Sequence, residues 1–288
     1  LLIALTFMRL RLMGRRYNIE KAKRLIRSSK EKGAKLVVLP SMFPVGSIIE
    51  VIDNEKRLKN MIKNLSEKIR GTATDAIINL AIEGEVHLIA GPILEQAGPK
   101  IFLTTIFVSP QGEIIGKYRK LSPSERDIFL GLSPGKEPMS LVLDKKYGII
   151  AEDDIYVPEI SRILALSGCS AIISTARAVQ ARTDSVKHVA ISRSIENGVP
   201  YLVAGQVVED ENGEERVRAP TFIVSADGEQ VREAEEEDSI LMVDSSVLYR
   251  SKDIARNSSL TNIITGLYKS MKKSKAELLQ RRTQGKGV

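Results

Sequence analysis

The chain has 288 residues, 43% of them apolar, with one cysteine, two histidines and no tryptophan. That is enough apolar material for a large core, no intrachain disulfide can form, and a zinc site of nitrogen and sulfur ligands has too few ligands to be built. The net charge of +7 favours anionic partners without naming one.

In chain order, "LLIALTFM" reads as a strand. The basic residues follow this apolar run instead of preceding it, which fits a first core strand better than a secretory signal. "NIEKAKRLIRSSKEKGA" (18–34) reads as a helix, with Asn18 as its cap, Ile19, Ala22, Leu25 and Ile26 as its apolar stripe and Gly33 as its stop. "KLVVLP" is a buried strand, and 54–83 is helical with a break near Gly71. "VHLIAGPIL" is a strand, and "IFLTTIFVSPQGEIIGKYRK" is a hairpin turning at Pro110-Gln111-Gly112. The strand "GIIA" runs straight into the acids Glu152, Asp153 and Asp154, ahead of the helix "VPEISRILALSG". Side chains at such a strand end sit where α/β enzymes keep nucleophiles. The strand "SAIIST", the helix "TDSVKHVAISRSIENG" with a cap at Thr183 or Asp184, and the strands "PYLVAGQVV", "PTFIVSADGEQVREA" and "SILMVD" complete the set. Strands alternate with helices, and no repeat or linker divides the chain. One layered domain over 1–257 is expected, followed by an amphipathic, basic tail over 258–288.

Four segments, in order, resemble the nitrilase superfamily of carbon–nitrogen hydrolases: "GAKLVVLPSMFPVG", "GEIIGKYRKLSPSE", "YGIIAEDDIYVPEISRILALSG" and "ISRSIENGVPYLVAGQV". The resemblance covers roughly residues 1–257 and implies a four-layer αββα sandwich that pairs into dimers or larger oligomers. It also implies a Glu-Lys-Cys triad, in which Glu is the base, Lys steadies the oxyanion and Cys attacks carbon. The matching positions hold Ser41, Lys120 and Glu152, and Glu125 corresponds to a second family glutamate. A carboxylate is a weak nucleophile beside a thiolate, and a serine hydroxyl is no base at pH 7. Parts that act as a unit fail as a unit. The expectation is therefore a pseudoenzyme, with no cofactor and no metal, in which Lys120 pairs with Glu152. Cys169, between a helix end and a strand, is expected to be structural.

Residues 1–35 carry eleven Lys/Arg against two acids, and the segment from Gly266 carries seven against one. Arg15, Arg16, Lys23 and Arg27, with Lys272, Lys273, Arg281 and Arg282, are the expected contacts to DNA or RNA, weakly sequence-specific because no base-reading motif is present. The alternatives are a scaffold or regulatory subunit with a protein partner, and an active amidase-type hydrolase with altered chemistry. Leu260, Ile263, Ile264, Leu267 and Met271 form a stripe expected to dock on the body or on a second subunit. No stretch is apolar enough to cross a membrane. A single cysteine points to the cytoplasm, and the Lys-, Arg-, Glu- and Ile-rich composition is thermophile-like.

Overall fold

A computed structural model describes residues 1–179, 184–251 and 262–273. Two compact units divide the chain, Leu1–Lys252 and Asp253–Val288. In the first, the elements run β1 (Leu2–Arg11), α1 (Arg15–Glu31), β2 (Leu36–Val38), α2 (Ile48–Val51), α3 (Glu55–Leu65), α4 (Thr72–Gly84), β3 (His87–Ala97), β4 (Lys100–Val108) and β5 (Ile114–Arg119). Then come α5 (Glu125–Phe129), β6 (Met139–Val142), β7 (Lys146–Ala151), a 3-10 turn (Glu152–Tyr156), α6 (Pro158–Leu166), β8 (Ala171–Thr175) and α7 (Ser185–Asn197). Last are β9 (Tyr201–Ala204), β10 (Gln206–Glu209), β11 (Glu215–Ala219), β12 (Phe222–Val224), β13 (Val231–Glu233) and β14 (Ser239–Asp244).

The strands form two sheets. One runs β11-β10-β1-β2-β3-β4-β5, with β14 also paired to β1, and the other runs β13-β12-β9-β8-β7-β6. Alternate residues of both sheets face each other and make the main core. Ile3, Leu5, Leu36, Val38, Ile89, Phe107 and Tyr118 come from the first; Tyr147, Ile149, Ala151, Ala171, Ile173, Leu202 and Ala204 come from the second. α1 and α4 pack on the outer side of the first sheet, α6 and α7 on that of the second. This is the expected αββα layering.

β1 is almost wholly apolar from Leu2 to Met8 because it is central: β14 and β2 flank its first part and β10 its second, where Arg9 and Arg11 reach outward. The helix α1 begins at Arg15, before the expected start. Asn18 does not cap it, because its side chain is buried and bonded to the backbone N and O of Arg11 and to the Pro44 carbonyl. The run "PYLVAGQVV" is two strands in different sheets, β9 and β10, joined by Gly205. A Cβ at Gly205 would collide with the carbonyl oxygens of Ala219 and Pro220, so the chain can change sheets there only with no side chain in the way. In the second unit, residues 262–273 are helical and their side chains, including Ile263, Ile264, Leu267 and Met271, are exposed. Leu260 lies outside the described residues. Among the described residues, no helix is long and apolar enough to cross a membrane.

Candidate functional site

The site lies between the sheets, where β2, β5, β7 and β8 end. β7 and β8 are parallel with Ala151 opposite Thr175, so the residues just past both ends meet. Glu152 begins the turn with a left-handed φ of 51°, and Met42, beside Ser41, has φ 49°. Non-glycine residues hold such backbone only where the surroundings impose it, as at functional turns. Arg193 on α7 fixes this turn from outside, donating to the carbonyls of Ile155 and Tyr156 at 3.1 and 3.3 Å.

Ser41, Lys120 and Glu152 converge, as the sequence implied. The Ser41 hydroxyl donates to Glu152 Oε1 at 2.5 Å, and Lys120 Nζ donates to Glu152 Oε2 at 2.9 Å. Lys120 also reaches Asp127 at 2.9 Å and Asp153 at 2.6 Å. The Arg177 guanidinium closes the cluster. It grips Asp127 with both nitrogens at 3.0 Å, and bonds Glu50 at 2.7 Å and Asp153 at 2.5 Å. Ser41, Lys120, Asp127 and Glu152 are buried, whereas Asp153 keeps 22% of its side chain exposed and marks the mouth.

Burial alone would lower the Lys120 pKa, but the Glu152, Asp153 and Asp127 carboxylates outweigh it and hold the ammonium above the ordinary lysine range. Lys120 is thus a fixed positive charge and not a base. Burial would raise Asp127, yet bonds from Arg177 and the charge of Lys120 keep it ionised well below the usual carboxylate range. Glu50 goes the other way: burial dominates over Arg177, and Glu152 and Asp127 add repulsion, pushing it to about 8. Asp154, buried under the Tyr118 hydroxyl at 2.5 Å, is raised by burial to about 6. Oxygens of Asp127, Glu152 and Asp153 lie within 4.8 Å of one another, close enough to share a metal ion. Lys120 Nζ already contacts all three, so their charge has a partner without one.

Glu125 is not part of the cluster. It is exposed in the first turn of α5, and Asp127, two residues on, turns inward. The reason is local: Ser124 and Asp127 form a reciprocal capping box that aims the Asp127 carboxylate back toward Lys120. Glu50 and Arg177 were not anticipated, and Asp153, noted among the acids at the strand end, had been given no role. For Arg177 the available signal was its place just past a parallel strand, next to the turn that carries Glu152. Cys169 is fully buried ahead of β8, at the opposite end of the strand from Arg177, and burial raises its thiol pKa.

The basic residues of α1 are less bare than the sequence suggests. Lys21 is buried, bonding the Arg9 carbonyl and Asp238, both at 2.7 Å. Lys23 pairs with Glu83 at 2.6 Å and Arg27 with Glu31 at 3.8 Å. Arg15 is partly buried and Arg16 exposed. Lys272 and Lys273 are exposed, while Arg281 and Arg282 lie outside the described residues.

A sequence model of the carbon–nitrogen hydrolase family matches residues 2–250. A nitrilase from Pyrococcus abyssi is 31% identical over 68% of this chain and 71% of its own length. An omega-amidase from Danio rerio is 25% identical over 81% and 83%. Among solved structures, an amidase variant from Nesterenkonia sp. AN1, with acrylamide added at its active-site cysteine, superposes with a TM-score of 0.74 at 19% identity, covering 91% of this chain and 98% of its own. Saccharomyces cerevisiae Nit3 gives 0.71 at 23%, over 86% and 91%. These two share the fold.

The expectation of a pseudoenzyme is corrected by these relatives, which are enzymes. The sequence argument weighed Ser41 and Glu152 separately, one as a lost base and the other as a lost nucleophile. The fold joins them as a hydroxyl donating to a carboxylate, beside a permanently charged lysine. With a match that spans nearly the whole compact unit, the chain belongs to the carbon–nitrogen hydrolase family.

Proposed function

We propose that the chain hydrolyses an amide-type carbon–nitrogen bond with Ser41 as nucleophile, Glu152 as its base and Lys120 as the charge that steadies the oxyanion. The observation that carries this reading is the 2.5 Å bond from Ser41 Oγ to Glu152 Oε1, with Lys120 Nζ 2.9 Å from the other carboxylate oxygen. A nucleophile within hydrogen-bond reach of its base is the geometry that acyl transfer requires. Ser41 Oγ bonds to the carbonyl carbon as its proton passes to Glu152, and the C=O electron pair moves onto oxygen, facing Lys120, whose N–H to Asp153 turns to the oxyanion. The tetrahedral adduct collapses, the C–N bond breaks, and Glu152 returns the proton to the leaving nitrogen. Water then attacks the Ser41 ester, giving a proton to Glu152; the carbon–Oγ bond breaks, Glu152 returns that proton to Ser41 Oγ, and the acid is released. The raised Lys120 pKa keeps the ammonium charged throughout. Substrate reaches Ser41 by parting Arg177 from Asp153 at the mouth, since Ser41 itself is buried.

The test is ammonia release from a panel of ω-amides, simple amides and nitriles, with Ser41→Ala, Glu152→Gln and Lys120→Met variants. We expect turnover in the wild type, a loss of at least about 100-fold in each variant, as for parts that act as a unit, and a Ser41 adduct by mass spectrometry. No turnover above buffer, or turnover indifferent to Ser41→Ala, overturns the mechanism.

A further inference from the structure

Away from this site, a groove of about 600 Å³ runs along the start of α1, lined by Arg11, Met13, Arg15, Arg16, Tyr17 and Arg24, with Gly14 and Glu20. Its apolar parts are Met13, 45% exposed, and Tyr17, 38% exposed. The Tyr17 ring carries the Arg11 guanidinium at 4.4 Å and the Lys21 ammonium at 4.9 Å. Four arginines line the groove beside one acid, Glu20, and Arg11 also lies 3.8 Å from Glu209. Among the described residues Arg16 and Arg24 form no ion pair, in contrast to Lys23 and Arg27 on the same helix, and Arg15 Nε is buried without a hydrogen-bond partner. Arginine is more weakly hydrated than lysine, and its planar fork matches phosphate oxygens.

We propose that this groove binds single-stranded nucleic acid, with a base stacked on Tyr17 and Arg11 and successive phosphates held by Arg15, Arg16 and Arg24. Charge complementarity selects a polyanion, and the aromatic floor selects one with exposed π-faces over a duplex, whose bases are stacked away. This binding is independent of the hydrolytic reading. It also differs from the contacts expected from the sequence: Lys23 and Arg27, which do not line this groove, are replaced by Arg11, Arg24 and the Tyr17 ring.

Fluorescence anisotropy of the full chain with a labelled oligouridylate, titrated across salt, tests it. The double variant Arg16→Ala/Arg24→Ala should bind at least about tenfold more weakly, with a log–log salt slope shallower by about 1.4, or roughly 0.7 for each lost single-strand contact. Tyr17→Ala should lose about tenfold in affinity at an unchanged slope, and Tyr17→Phe should keep it, because stacking needs the ring alone. Lys272→Ala/Lys273→Ala should bind like the wild type. Melting curves confirm that each variant is folded. Equal binding by the arginine and tyrosine variants, loss of binding in the lysine variant, duplex binding as tight as single-strand binding, or retention on phosphatidylglycerol vesicles in place of the oligonucleotide each overturn the assignment.

Discussion

Glu50 is pushed up, to about 8, while Asp127 is held down. The two therefore act on stability with opposite signs. A lowered carboxyl such as Asp127 contributes stability above its unfolded pKa and loses it only as pH falls through the acid range. A raised carboxyl such as Glu50 is free of penalty below about 4.5 and accrues cost as pH climbs toward 8, at about 1.4 kcal/mol per unit. Glu50→Gln keeps an acceptor for Arg177 and removes the titration. We expect urea melts to show the variant gaining on the wild type between pH 5 and pH 8, by up to about 4 kcal/mol at the upper end. Asp154 titrates in both proteins and cancels from the difference. A gap that stays constant over that range would assign the effect to packing. Ser41, Lys120 and Glu152 were legible in the sequence because short motifs place them at strand ends. The inward turn of Asp127 was not, because whether Glu125 or Asp127 faces the lysine depends on a cap that spacing alone does not reveal. Arg177 was hidden for another reason: it lies just past a neighbouring strand, and only the pairing of Ala151 with Thr175 brings it to Glu152.

At the level of elements, periodicity carried most of the reading. Continuous apolar runs gave β1, β2 and β8, and 3.6-residue spacing gave α1, α6 and α7. Short elements with mixed polarity, such as β11 ("ERVRA"), were missed because one buried valine in a charged stretch gives no alternation to detect. The sheet change at Gly205 was also invisible, since "YLVAGQVV" reads as one strand and only a missing side chain separates the halves. That glycine is open to test. We expect Gly205→Ala to destabilise the protein by roughly 1–3 kcal/mol, the usual cost of forcing atoms into a packed site, and to do so at all pH values. Its Cβ would press on the two carbonyls that precede β12, so chemical denaturation should report a lower midpoint without a change in slope. An unchanged midpoint would mean that the crossing has room to spare.

For the whole molecule, the outer faces of α6 and α7 are the informative surface. Ile160 and Leu164 are buried within the unit, whereas Ile163 and Ile195 are 46% and 49% exposed, with Tyr156 nearby in sequence at 45%. Val189 and Ile191 are half-buried. We expect light scattering to give a dimer at micromolar concentration, and Ile163→Asp/Ile195→Asp to shift it to monomer while leaving the fold intact, because these positions are exposed in one copy. A wild-type monomer would leave this face without a self-partner.

The central place of β1 has a consequence for synthesis. Its first half is flanked by β14, with Leu5 opposite Leu241, so β1 is synthesised long before the strand it pairs with. At about 5–20 residues per second, that interval lasts roughly 10–50 s. Throughout it, the largely apolar Leu2–Phe7 stretch has one edge without its eventual neighbour, which is the condition that invites pairing with other nascent chains. A helper that shields the emerging segment should therefore raise the soluble yield more than any change at the finished surface.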